Sequence, residues 1–281
     1  MSLKILQLGN GLSFQDLGRP GWARYGIASA GAMDPLSHLA ANEILSNHPN
    51  DPSLEIALGG AAFRVEENIW LAYHGGPICD DFPSGEARFF KKDDILRFHP
   101  SRTGLWGYLA TPSGWQCRKQ FGSHSRHERS DLGSAIQANE VIFPVQNIGD
   151  AFPKIARRFH TIEPHPLPPR KTLRLFNGPH EFPVEARQKL ITSAWKISSE
   201  LDRTGYRLEG PKIPSNGLIK SCPVLPGSIQ ITSGDQPIVT LNDGPTVGGY
   251  PLIALIHPND LPHFVQHPPG TTIHFTWHEK F

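Results

Sequence analysis

Ser221-Cys-Pro-Val-Leu-Pro-Gly-Ser-Ile-Gln-Ile-Thr-Ser-Gly-Asp-Gln-Pro-Ile-Val-Thr-Leu-Asn-Asp-Gly-Pro-Thr-Val-Gly-Gly249, running on into Tyr250 and Pro251, decides the reading of this chain. Two short β-type runs, Ser228–Thr232 and Pro237–Leu241, carry isolated polar side chains. Gln230, Gln236, Asp243 and Thr246 are isolated polar side chains set among glycines, where a backbone turns tightly. A core has no use for amides and a carboxylate in such density. A pocket for a small polar substrate does.

The same texture extends outward. The chain has 281 residues, enough for one large or two medium domains, with 27 glycines and 27 prolines, more than helical bundles accept. Strands are expected at Ser2–Leu8, Leu54–Leu58, Ala61–Val65, Asn68–Tyr73, Asp94–Phe98, Trp106–Ala110, Glu140–Pro144, Thr172–Asn177, Ala194–Ile197, Ile238–Leu241 and Thr272–Thr276. Several alternate apolar and polar residues, as half-buried strands do. The clearest helix starts at Asp34, a good N-cap, with Pro35 in the first turn and Leu36, Leu39, Ala40, Ile44 and Leu45 as an apolar stripe. Asn47 is placed to end it. Shorter helices are expected at Glu181–Leu190 and Asn259–Gln266, the latter capped by Asn259 or Asp260. The proline-rich strip Glu163–Lys171 reads as a linker. It divides the chain into an N-terminal domain, 1–165, and a C-terminal domain, 166–281.

Composition sets limits. The formal net charge of +1 predicts no strong pull toward nucleic acid or membrane. Cys79, Cys117 and Cys222 are too widely spaced for a disulfide framework or a metal knuckle, so free thiols are expected. The first residues lack a basic segment followed by a long apolar one, and no apolar run reaches the ~18 residues of a membrane helix. A soluble, cytoplasmic protein is expected.

Asp202-Arg203-Thr-Gly-Tyr-Arg207 puts two guanidiniums, a carboxylate and a phenol into one short stretch. Arginine offers a planar fork for a carboxylate or phosphate, but an Asp–Arg pair bracing a turn at Gly205 is the plainer reading. Asp243 and the glycines after it fit either an anion-binding nest or an Asx turn. Asp34 reads as a cap, and Asp16 with Arg19 as a turn-bracing ion pair. Gln15-Asp-Leu-Gly-Arg-Pro-Gly21 faintly echoes Leu201-Asp-Arg-Thr-Gly205, which suggests two related halves.

No metal site is expected. His263 and His267 share a helical face, and His124 lies near His127, but no third ligand stands at metal-binding spacing. There is no G-x-S-x-G elbow. There is no P-loop for ATP, and no Met-Lys-Met biotin acceptor, since the only methionines are Met1 and Met33.

In order along the chain, Gln15–Gly21, Ser29-Ala-Gly-Ala-Met-Asp34, Tyr108-Leu-Ala110, Asn177-Gly-Pro179, Asp202–Leu208, Pro226–Gln230, Gly234–Ile238, Asp243 and Thr246-Val-Gly-Gly-Tyr-Pro251 resemble the biotin-dependent carboxyltransferase, or allophanate hydrolase subunit 2, family. That family includes the C component of 5-oxoprolinase (PxpC), the carboxyltransferase region of urea carboxylase, and KipA-like antagonists of a sporulation-kinase inhibitor. The first half departs from its pattern. Trp106 stands where the family tends to arginine, Ser113-Gly114 replaces a Gly-Gly, and Leu132-Gly-Ser-Ala135 is a reduced G-G-x-x-G-R.

The resemblance implies a mainly β protein of two cyclophilin-like β-barrel domains with a few short helices. It implies a subunit of an ATP-dependent 5-oxoprolinase-type lactam hydrolase, with ATP handled together with partner subunits. The implied partners are an allophanate hydrolase subunit 1-like (KipI/PxpB-like) protein and a LamB/YcsF-like (PxpA) subunit. In that setting Gln230 and Gln236 would orient the lactam, and Arg203 with Arg207 would hold an anionic group. Asp243 would act as base or orienter, and Tyr250 as a donor. Asp202, Thr246, Gly248 and Gly249 would complete the substrate site. Two other functions fit the resemblance: biotin-dependent carboxyl transfer to urea or a similar amide, and non-catalytic, KipA-like binding of a KipI-like partner.

Overall fold

The computed structural model describes residues 1–146, 169–215 and 217–278. The chain folds as two units: Met1–Arg19 with Ala30–Pro168, and Pro20–Ser29 with Pro169–Phe281. The short segment Pro20–Ser29 thus groups with the C-terminal half. The heart of the expected linker, 163–168, lies outside the described residues.

The first unit contains β1 (Ser2–Leu8), β2 (Leu12–Gln15), α1 (Pro35–Ile44), β3 (Ser53–Ala57), β4 (Ala61–Glu67), β5 (Ile69–Gly75), β6 (Glu86–Phe90), β7 (Ile95–Arg97), β8 (Trp106–Ala110) and β9 (Val141–Ile142). They form two antiparallel sheets, ordered β7-β4-β1-β9 and β2-β3-β8-β5-β6. Strand β5 is buried throughout, as a near-continuous apolar run between two neighbours should be. Its Tyr73 ring packs 4.8 Å from Phe98 and 6.0 Å from Phe82, and anchors an aromatic core with Phe63.

Helix α1 begins as expected. The Asp34 carboxylate accepts from the Leu36 and Ser37 N–H groups at 3.1 and 3.2 Å, and the Ser37 hydroxyl donates to its other oxygen at 2.7 Å. Pro35 occupies the first turn, where its missing N–H costs nothing. The helix stops at Ile44, short of Asn47, whose amide turns back to bond Asn42 Oδ1 at 2.9 Å. Asp34→Ala should destabilise the protein by about 1–2 kcal/mol. Chemical denaturation measures this, and an unchanged midpoint would refute the capping role.

The second unit contains β10 (Thr172–Asn177), α2 (Val184–Thr192), β11 (Trp195–Leu201), β12 (Gly205–Glu209), β13 (Cys222–Pro223), β14 (Ser228–Ile231), β15 (Pro237–Thr240), β16 (Val247–Gly248), β17 (Leu252–Ile256), α3 (Leu261–Val265) and β18 (Thr272–Trp277). Seven of these strands close into a barrel, β10-β17-β14-β15-β12-β11-β18. All its pairs are antiparallel except β10 with β18. Closure leaves no barrel strand with an open edge. Leu173, Leu175, Trp195, Ile197, Tyr206 and Ile229 are fully buried. Strands β13 and β16 stand apart as a two-stranded ribbon.

The mainly β reading holds. The helix expected at Asn259–Gln266 is the shorter α3, and Asp260 does not cap it through its side chain. That carboxylate is taken by Arg174, which donates twice, at 2.9 and 2.6 Å. Burial raises the Asp260 pKa, but the Arg174 bonds outweigh it and hold the group below the usual carboxylate range.

Candidate functional site

In the second unit the hairpin turn between β11 and β12 meets the turn after β15. The Leu241 N–H donates to the Thr204 carbonyl and the Asp243 N–H to the Arg203 carbonyl, each at 2.9 Å. This pairing brings Arg203 and Asp243 face to face. The guanidinium grips the carboxylate with two bonds, Nε–Oδ2 at 2.8 Å and Nη2–Oδ1 at 2.9 Å. Both side chains are mostly covered, at 17% and 11% exposure, so the pair is neither a loose surface contact nor a fully desolvated one.

The ion pair thus forms, but with a different carboxylate from the one expected. Asp202 instead accepts the Thr204 and Gly205 N–H groups at 2.7 and 3.1 Å and shapes the turn. Two N–H groups of the stretch at Asp243 are already in use. The Asp243 and Gly244 N–H groups are spent on the Arg203 and Leu241 carbonyls. Gly244 serves close packing, since a Cβ there would run into the Thr240 methyl group. These two N–H groups are therefore not available to an anion.

The other residues of the expected site each make contacts of their own, and strand register sets Gln230 and Arg207 both opposite Ile238. Arg207 is exposed on β12 and pairs with Glu200 at 2.8 Å. The Gln236 amide nitrogen lies 3.4 Å from the Gly210 carbonyl. The Thr246 carbonyl accepts the Val224 N–H at 3.0 Å, and the Gly249 carbonyl the Ile219 N–H at 2.9 Å, which extends the β13–β16 ribbon. Tyr250 is half-buried just before β17. Gln230 is buried in β14, with Gly248 of the ribbon over its amide.

The first unit holds a buried polar system that motif spacing does not reveal. The Asp16 carboxylate accepts from the Ser123 and Ser125 hydroxyls and the His124 N–H at 2.6 Å each, and from the Gly18 N–H at 2.8 Å. Arg19, also fully buried, donates to the Ser125 carbonyl. These two residues therefore organise the 123–125 segment. A second cluster joins α1 to β3 and β8. Glu55 accepts from the Met33 N–H and the Tyr108 hydroxyl, each at 2.8 Å, and the Tyr108 oxygen accepts the Asp34 N–H at 2.7 Å. His38 Nδ1 lies 2.7 Å from the Ser53 hydroxyl, and its Nε2 lies 3.1 Å from the Pro49 carbonyl.

Nucleophilic chemistry is poorly served here. Ser53 and His38 are fully buried. Cys117 Sγ lies 3.5 Å from His124 Nδ1, but burial, aided by the Asp16 carboxylate, pushes the thiol up to about 12. At neutral pH it stays protonated and inert. Trp106, at the position where the resembling family tends to arginine, is core, 2% exposed in β8. Among the described residues no three His, Cys, Asp or Glu side chains gather as metal ligands, and no helix is long and apolar enough to cross a membrane.

A closed seven-stranded barrel with a guanidinium–carboxylate pair and a buried amide, joined in one chain to an antiparallel two-sheet unit, defines a two-unit β protein. The chain belongs to the family described as carboxyltransferase domain, subdomain A and B, whose profile matches residues 25–277. It is 33% identical to the C subunit of 5-oxoprolinase from Escherichia coli, over 97% of this chain and 90% of that protein. The urea amidolyase of Lachancea kluyveri is 27% identical over 92% of this chain, which corresponds to 16% of that enzyme. Among solved structures, TTHA0988 superposes with a TM-score of 0.86 at 30% identity, covering 98% of this chain and 56% of its own. The chain thus spans about half the length of TTHA0988. Kluyveromyces lactis urea amidolyase shares the fold, with a TM-score of 0.84 at 24% identity over 18% of its length.

Proposed function

We propose that this chain is the PxpC-type component of a 5-oxoprolinase-like enzyme, an ATP-dependent hydrolase of a small cyclic amide that works with a subunit 1-like partner. The observation that carries this reading is the match to the E. coli 5-oxoprolinase C subunit along nearly the whole of both chains. The site chemistry is compatible with it. Arg203 fixes the Asp243 carboxylate in one orientation, and a fixed carboxylate suits the positioning of a reacting amide. The Asp243 and Gly244 N–H groups are already bonded, and the sequence has no P-loop, which favours nucleotide handling by the partner subunits. This chain's share is to bind and orient the amide.

The test is 5-oxoproline-dependent ATP hydrolysis by the chain co-purified with its neighbouring-gene subunits. Turnover is expected, and Asp243→Ala should reduce it at least a hundredfold while the complex stays assembled. No turnover by the intact complex would refute the reading.

A second reading rests on the urea amidolyase relatives: carboxyl transfer from biotin to a urea-like amide. It requires a biotin carrier from another chain, since this one has no acceptor motif. Carboxylation of urea on addition of a biotinylated carrier and a biotin carboxylase would favour it over the first.

A further inference from the structure

Gln230 is a buried polar group that the fold does not account for. It is 5% exposed, and its Nε2 has no hydrogen-bond partner among the described residues. Native proteins rarely leave a buried amide N–H unpaired, and such groups call for an explanation. Gly248 of the β13–β16 ribbon lies over this amide. The place where a Cβ would stand at Gly248 is 3.5 Å from Gln230 Nε2, 3.9 Å from its Oε1 and 3.1 Å from Val224 Cγ2. Gly248 does not have a left-handed φ, so its backbone does not demand glycine. What the missing Cβ provides is an amide with no methyl group pressed against it. In strand register Gln230 lies opposite Leu252 on one side and Ile238 on the other.

We propose that Gln230 is a ligand-reading residue. With the ribbon raised, its Nε2 donates to the carbonyl oxygen of a small neutral amide or lactam seated between Val224 and Gly248. This deepens the amide-hydrolase reading above and rests on it for the substrate class.

The chemistry selects the ligand. An unpaired N–H calls for an acceptor. The flanking Val224, Leu252 and Ile238 are apolar, so a carboxylate there would lose its hydration in exchange for a single neutral donor. A lactam carbonyl needs only that donor, and its methylene edge suits apolar walls. The ribbon that must move for entry is two strands wide, and neither strand belongs to the barrel.

The probe is 2-pyrrolidinone, with acetate as the charged control. Binding is followed by ligand-observed NMR on the full chain, alone and with its co-purified subunits. Saturable binding of the lactam and none of acetate is expected. Gln230→Met should weaken lactam binding about tenfold or more, because the ligand carbonyl is then buried without a donor. The same substitution should raise Tm by about 2–4 °C by removing an unpaired polar group. Gly248→Ala should weaken binding several-fold, since its methyl group narrows the space between Val224 and the amide that the ligand must occupy.

The proposal is overturned by absence of saturable lactam binding in both preparations, by equal affinity in Gln230→Met, by equal binding of acetate, or by a fall in Tm in Gln230→Met. Its failure is separable from failure of the function. Turnover of 5-oxoproline unaffected by Gln230→Met would sink this inference and leave the hydrolase standing. Gln230-dependent lactam binding without turnover would do the reverse.

Discussion

Acidification from pH 7 to pH 4 should cost the fold about 3 kcal/mol through His38 alone. His38 is fully buried on α1, and burial, the largest influence, lowers its pKa to about 4. The Pro49 carbonyl and the carboxylates of Asp16, Asp34 and Asp51 all pull the other way and lose. In the unfolded chain the imidazole titrates near 6.5, so between 6.5 and 4 the unfolded state binds a proton that the folded state refuses. Stability is therefore complete above about pH 6.5 and falls as pH drops toward 4. Equilibrium denaturation in urea across this range gives the slope. His267, also lowered mainly by burial, acts with the same sign, so the difference between wild type and His38→Gln isolates His38. A difference profile that is flat between pH 6.5 and 4 would show that the imidazole is not held neutral.

The barrel and the cluster around His38 differ in how far the sequence reveals them. Strands Ser2–Leu8, Trp106–Ala110 and Thr172–Asn177 lie where alternation and turn residues place them. The Asp34 cap is equally plain, because capping is settled within four residues. Strands Gly205–Glu209 and Leu252–Ile256 are hidden for opposite reasons. The first is charged and glycine-led, and looks like a turn. The second is a short apolar run, which periodicity cannot assign to strand or helix.

Side-chain pairing is less legible still. Arg203 has a carboxylate directly before it in Asp202, yet it binds Asp243, which is forty positions away and brought near by backbone pairing of two turns. The His38 cluster draws on α1, β3 and the loop at Pro49, and no spacing rule joins them. Gln230 does stand out as an amide in an apolar strand. That it lies under a glycine with its nitrogen unpaired is a product of the ribbon's placement, which is tertiary.

Glu55→Ala should be the most damaging single substitution in the polar core of the first unit, at about 3–5 kcal/mol. Glu55 is 1% exposed on β3, and one of its oxygens takes both the Met33 N–H and the Tyr108 hydroxyl. Truncation removes the acceptor for two buried donors and leaves a cavity. Its effect spreads along the chain of bonds, because Tyr108 uses the same oxygen to accept the Asp34 N–H that opens α1. Tyr108→Phe breaks that relay from the other side and should cost about 2–3 kcal/mol, less than Glu55→Ala because the ring still fills its place. Since the two residues share one bond, the double substitution should cost clearly less than the sum of the singles, with a coupling of about 1–2 kcal/mol. A thermodynamic cycle from denaturant midpoints measures this directly. Strict additivity would mean that β3, β8 and the start of α1 are held together by packing, and that the Glu55–Tyr108 bond contributes nothing to joining them.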